Sequence, residues 1–178
     1  MTRKESGKGY SLSTKIIMLV ETILLITSFL FCTVSVYRAR TGIQTAIRQR
    51  MLDIANCASA SVDGDVLGSL KKEDVGSDKY NDLYKKLAIF RDNVELEYIY
   101  SIKQDDDGQF IFTMDLDQED PASYGDSVKY TEALANAGRG VASVDEVPYS
   151  DAWGEFYSAY SPVYDSSGNI AGIIAVDF

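Results

Sequence analysis

The side chains best suited to chemistry are carboxylates interleaved with aromatics in strand-like stretches. Tyr98 and Tyr100 alternate in Glu97-Tyr98-Ile99-Tyr100-Ser101-Ile102-Lys103, and Phe156, Ser158 and Tyr160 alternate in a later run. A period of two puts each set on one face of a strand. Asp115, Tyr124 and Asp126 follow the first hairpin, Trp153 precedes the last, and Asp177 ends the final strand. Aromatic faces and carboxylates together hold cations, so the nine aromatic and acidic residues among these (Tyr98, Tyr100, Asp115, Tyr124, Asp126, Trp153, Phe156, Tyr160 and Asp177) are the candidate site for a cationic or amine-bearing small molecule.

Other chemistries are excluded more easily. The 178 residues contain no histidine, which removes Ser-His-Asp and Cys-His nucleophilic sites and zinc sites needing imidazole. Two cysteines cannot build a Cys₄ cluster; Cys32 lies in an apolar run and Cys57 stands alone outside it. Asp115, Asp117, Glu119 and Asp120 alternate like the start of an EF-hand loop, with Asp126 in the twelfth place. The sixth place, which needs Gly, holds Asp120 followed by Pro121, so a solvated acidic loop is the better reading. No Gly-rich phosphate loop is present. No catalytic residue, metal ligand or cofactor is assigned.

Charge divides the chain. Residues 1–50 carry 8 basic and 2 acidic side chains, and residues 51–178 carry 9 basic and 25 acidic ones. An acidic domain repels phosphate backbones, so nucleic acid is not an expected partner. Ile16 to Val36 is an apolar run of 21 residues whose only charge is Glu21, long enough to span a bilayer. The Val36-Tyr37-Arg38-Ala39-Arg40 exit is a poor cleavage site, so the run reads as an uncleaved anchor whose partner is lipid. Arg3, Lys4, Lys8 and Lys15 favour a cytoplasmic N-terminus, although Arg38, Arg40, Arg48 and Arg50 follow the span. The expected organisation is a cytoplasmic tail (1–15), a transmembrane helix (16–36), a juxtamembrane helix (37–61) and an extracellular domain (62–178) that folds without the anchor.

Ile43, Ile47, Met51, Ile54 and Ala58 recur at helical spacing, and Ile43, Ile47, Ile54 and Cys57 form a second seam. The stripe packs on its own domain, on a second copy in a homodimer, or on both. Ser77 is an expected N-cap for a helix burying Tyr80, Leu83, Tyr84 and Leu87. Asp105-Asp106-Asp107-Gly108 and Asp165-Ser166-Ser167-Gly168 each mark a hairpin turn. A helix over Val128–Ala137 and a strand over Val141–Val147 lie between them. The order helix, helix, β, β, helix, β, β, β makes an α+β domain with one antiparallel sheet of about five strands. A last hairpin turning at Ser166-Ser167 sets 177 opposite 156, 175 opposite 158 and 173 opposite 160. A first hairpin turning at Asp107-Gly108 sets Tyr100 opposite Asp115 and Tyr98 opposite Asp117.

This order after a membrane helix resembles the PAS-like extracellular sensors called Cache or PDC domains. The likeness rests on Ser61–Leu67, on Leu96–Tyr100, on Asp151–Asp165 with its Trp153-Gly154-Glu155-Phe156-Tyr157 core, and on Gly172–Phe178. It is nearest to the sensors preceding membrane-bound bacterial diguanylate cyclases, with sensors of chemoreceptors and histidine kinases as alternatives. The resemblance implies ligand sensing coupled to a cytoplasmic output, and no enzymatic activity in this chain. It also implies that Asp177 receives a ligand's ammonium group. The Arg and Trp that hold a ligand's carboxylate in amino-acid-binding members have no counterpart in residues 109–128, and Lys129 is the nearest base. A divalent-cation or membrane-surface sensor using the acidic loops is a second reading, and an anchored extracellular enzyme a third.

Overall fold

The computed structural model describes residues 9–150 and 154–178. It resolves into two compact units, Met1–Thr45 and Ala46–Phe178. Helix α1 (Leu12–Ser61) begins in the first and ends in the second. Among the described residues it is the one helix long and apolar enough to cross a membrane, with a mean hydropathy of 2.3 over its best window and none of that window buried.

The second unit is an α+β domain. It contains α2 (Gly64–Ser69), α3 (Asp78–Asn93), β1 (Tyr98–Gln104), β2 (Phe110–Asp115), α4 (Glu132–Gly138), β3 (Ser143–Val144), β4 (Tyr149–Ser150), β5 (Glu155–Phe156), β6 (Ser158–Tyr164) and β7 (Ile170–Asp177). The antiparallel sheet has five strands in the order β2-β1-β7-β6-β3, and β4 and β5 form a separate two-stranded ribbon. Alternation along the strands gives the sheet two buried faces. On one, Ile99, Met114, Ala159, Ile174 and Val176 meet Met51, Ala55 and Ala58 of α1, with Leu67, Leu83 and Leu87. On the other, Tyr100, Ile102, Phe112, Tyr160, Ile173 and Ala175 meet Ala133, Leu134 and Ala137 of α4. The domain therefore begins inside α1 at Ala46 rather than at residue 62, because the last turns of that helix bury their apolar stripe in the core.

Local chemistry explains the element ends. Ser77 caps α3 by accepting from the Tyr80 N–H, as its position predicts, and Asp63 caps α2 by accepting from the Val66 N–H. Gly64 is needed for close approach, since a Cβ there would lie 2.0 Å from the Tyr164 carbonyl oxygen. α4 starts at Glu132 and not at Val128; Thr131 caps it, while Val128 donates to the Phe110 carbonyl along the free edge of β2. The strand expected over Val141–Val147 pairs only at Ser143–Val144. The expected strand Glu155–Val163 is broken at Tyr157, which exchanges backbone hydrogen bonds with Phe178.

Both hairpins close by the same three-residue loop. Asp105 and Asp165 each accept from backbone N–H groups two and four residues on, and Gly108 and Gly168 take φ of +79° and +84°. In the last hairpin this loop and a bulge at Val163/Tyr164 each shift pairing by one residue, so Asp177 faces Ser158 and not residue 156, and Ala175 faces Tyr160. Two single shifts restore the parity, and every side chain keeps its expected face. In the first hairpin the bulge between Ser101 and Ile102 turns Met114 to the helix-covered face and leaves Asp115 opposite Tyr100.

Candidate functional site

A small cavity lies where β1 starts and β7 ends. Tyr98 pairs with Asp177 across these strands, and the lining comprises Tyr98, Tyr100, Phe112, Asp115, Asp117, Phe156 and Asp177. Five of the nine sequence candidates thus meet at one place. The open space is about 20 Å³, enough for a water molecule and little more. Its walls are aromatic: the Tyr98 and Phe156 rings meet edge to face with centroids 5.3 Å apart, and Tyr100 and Phe112 lie 5.0 Å apart at 42°. Among the described residues the lining holds three carboxylates and no Lys or Arg.

Asp177 is 3% exposed. Its Oδ1 accepts from the Tyr100 hydroxyl at 3.2 Å and from the Ser158 hydroxyl at 2.5 Å. Asp115 is half-buried, and its carboxylate accepts from the Asp117 N–H at 3.1 Å and the Ala122 N–H at 2.8 Å. Burial pushes its pKa up, against the lowering effect of those two amides. The Tyr98 phenol is pushed up as well, by burial first and then by the carboxylates of Asp117, Glu97, Asp115 and Asp177.

The remaining candidates lie elsewhere. The Tyr124 hydroxyl donates to the Leu70 carbonyl at 2.8 Å, and the Lys103 ammonium stands 5.2 Å above its ring. Asp126 is exposed and accepts from the Ser123 N–H. The cause is a tight turn at Gly125, with φ of +97°, whose backbone pairs with Phe112 and turns Tyr124 toward Leu70. Tyr160 is fully buried in the core beneath α4, between Ala175 and Ser143 in the ladder. None of these three lines the cavity. Trp153 lies outside the described residues.

Sequence reasoning did not single out Phe112, Asp117 or Asp145 as site residues. Phe112 shares a face with Tyr100 through the strand period, and Asp117 was legible only as the residue opposite Tyr98. Asp145 carries no local signal. It is 6% exposed, accepts the Ser158 N–H at 3.3 Å, and bonds the side chain of Thr131, the cap of α4. Burial is the largest influence on it and raises its pKa above the ordinary carboxylate value.

This raised pKa has a definite sign in the stability. Between the unfolded and the folded pKa the native state binds more protons, so stability falls as pH rises through that window and the loss persists above it. Asp74 and Asp165, whose pKa values are lowered by hydrogen bonds, act in the opposite sense and mask it in the wild type alone. The difference between wild type and Asp145→Asn isolates the effect. Denaturant titrations from pH 3 to pH 7 are expected to show the variant gaining on the wild type as pH rises; a constant or shrinking difference would contradict a buried, charge-strained Asp145.

No protein-family model matches the chain, and no curated protein matches it. Solved structures do. The periplasmic sensory domain of the Campylobacter jejuni chemoreceptor Tlp1 is 14% identical with a TM-score of 0.49, covering 78% of this chain and 56% of that one. The ligand-binding domain of the Campylobacter jejuni chemoreceptor Tlp3 in complex with L-norvaline is 13% identical with a TM-score of 0.43, covering 77% and 60%. The Tlp3 sensory domain with isoleucine bound is 16% identical with a TM-score of 0.40, covering 78% and 61%. The present chain therefore spans less than two thirds of the length of these solved domains.

Proposed function

We propose that this chain is the anchor and ligand-sensing extracellular region of a membrane-bound signalling receptor. In this reading residues 1–15 are cytoplasmic, 16–36 cross the bilayer, and the domain beyond binds a small molecule outside the cell. The cytoplasmic output is a diguanylate cyclase by the resemblance to Cache or PDC sensors, or the output of a chemoreceptor or histidine kinase. Ile43, Ile47 and Cys57 are exposed on α1, which suits a parallel homodimer through that helix, whereas Ile54 packs against the domain's own core.

One observation supports the ligand reading above the others: a half-buried aromatic cavity whose described lining contains Asp115, Asp117 and Asp177 and no base. Carboxylates in a low-dielectric site attract an ammonium group, and aromatic faces add cation–π attraction. A ligand carboxylate finds no cationic partner among the described residues of that lining.

Calorimetric titration of the full chain in detergent with L-norvaline and with L-norvalinamide tests this directly. The two share a side chain and an ammonium group and differ in the carboxylate. The amide is expected to bind at least tenfold tighter. Equal affinity, or tighter binding of norvaline, would reject a cation-selective cavity.

A further inference from the structure

The core contacts of α1 are made on the sheet face opposite the cavity, through Met51, Ala55 and Ala58. The Arg48 side chain, ahead of these residues on α1, contacts the segment that follows β3. Arg48 donates from its guanidinium to the backbone carbonyl of Glu146. The residue before Glu146 is Asp145, whose N–H donates to the Ser158 carbonyl at 2.9 Å and whose Oδ2 accepts the Ser158 N–H. The Ser158 hydroxyl in turn donates to Asp177 inside the cavity. Hydrogen bonds, joined by the covalent backbone at Ser158 and at Asp145-Glu146, therefore link the cavity carboxylate to the helix.

We propose that Arg48 is the positioning residue that couples the state of the cavity to α1, through Glu146, Asp145 and Ser158. The inference rests on reading the cavity as the ligand site. An ammonium group arriving at Asp177 draws on the carboxylate that the Ser158 and Tyr100 hydroxyls already contact. Ser158 is fully buried and both of its backbone groups are held by Asp145, so a backbone shift at Ser158 carries that residue with it. Asp145 cannot move without carrying the carbonyl that Arg48 holds. Arg48 stands on α1 twelve residues after the apolar run ends at Val36, ahead of the buried Met51, so a shift there acts on the part of the helix nearest the span. Coupling of this kind is reciprocal: what the cavity does to the helix, the helix does to the cavity.

Reciprocity allows a test that needs no ligand. Amide hydrogen exchange is followed on the full chain in lipid nanodiscs for wild type, Arg48→Gln, Arg48→Lys and Ser158→Ala. Arg48→Gln is expected to speed exchange at the mutually paired Asp145 and Ser158 amides at least tenfold, leaving Ile99 and Val176 in the β1–β7 ladder unchanged. Arg48→Lys, which keeps a donor for the Glu146 carbonyl, is expected to recover most of that protection. Ser158→Ala is expected to speed exchange of α1 amides around Arg48. Unchanged exchange at Asp145 and Ser158 in Arg48→Gln overturns the coupling. So does a uniform loss of protection that Lys fails to rescue, because that marks general destabilisation. A failure of norvalinamide to bind would reject the proposed ligand class and leave this readout intact.

Discussion

A fragment comprising residues 46–178 is expected to unfold cooperatively, whereas one comprising residues 62–178 is expected to lose roughly 5 kcal/mol of stability. The reason is the position of the core. Met51, Ala55 and Ala58 are at most 1% exposed and pack against the sheet face that also buries Ile99, Met114, Ile174 and Val176. Removing a buried Met costs about 2–3 kcal/mol in transfer free energy, and two alanines with the half-buried Ile54 add roughly as much again. The Ser161 hydroxyl also loses its partners, Ser59 Oγ and Asn56 Oδ1, both at 2.8 Å. A domain of this size has only about 5–15 kcal/mol in total, so the shorter fragment is left near the unfolding threshold. Urea denaturation followed by circular dichroism decides the matter. Equal midpoints and slopes for the two fragments would mean that the end of α1 is dispensable, contrary to its burial.

That result would also mark how far the sequence could be read. The stripe Ile43, Ile47, Met51, Ile54, Ala58 is visible as a helical face, but its partner is not: a period of 3.6 says that one side is buried and is silent about what covers it. Ser77 as a cap and the two Asp-x-x-Gly turns were legible because each encodes a local backbone geometry. Tyr98, Tyr100, Asp115, Phe156 and Asp177 reach one cavity because strand parity survives register errors of two. Bulges leave no mark in the residue pattern, and the Tyr100–Asp115 pairing depends on one at Ser101/Ile102 that compensates a turn different from the expected one. Tyr124 and Asp126 lie elsewhere for the complementary reason. A turn at Gly125 reverses direction over three residues, and no periodicity extends through such a turn. Asp145 is the clearest omission, since its role comes from Thr131 and Ser158, neither of which is near it in sequence.

Asp177→Asn is expected to weaken binding of L-norvalinamide by about 2–4 kcal/mol while leaving the unliganded fold nearly unchanged, the range for removing one member of a desolvated charge pair. The substitution keeps size and shape, and the amide oxygen can still accept from the Tyr100 and Ser158 hydroxyls that now meet Oδ1. What disappears is the charge. A competing account makes Asp177 a structural anchor, whose carboxylate exists to hold Tyr100 and Ser158 in place at the end of β7. The two accounts separate on paired measurements. If Asp177 is an anchor, the variant melts lower without ligand and binds the amide with undiminished affinity. If it is the counter-ion of the ligand, the melting temperature without ligand moves little and the dissociation constant rises by about 30-fold or more, the lower end of the stated range. Burial at 3% exposure favours a large effect, because an ionised carboxylate held away from water gains most from an arriving ammonium group. An unchanged dissociation constant would remove Asp177 from the site and leave Asp115 and Asp117 as the carboxylates able to hold a cation there.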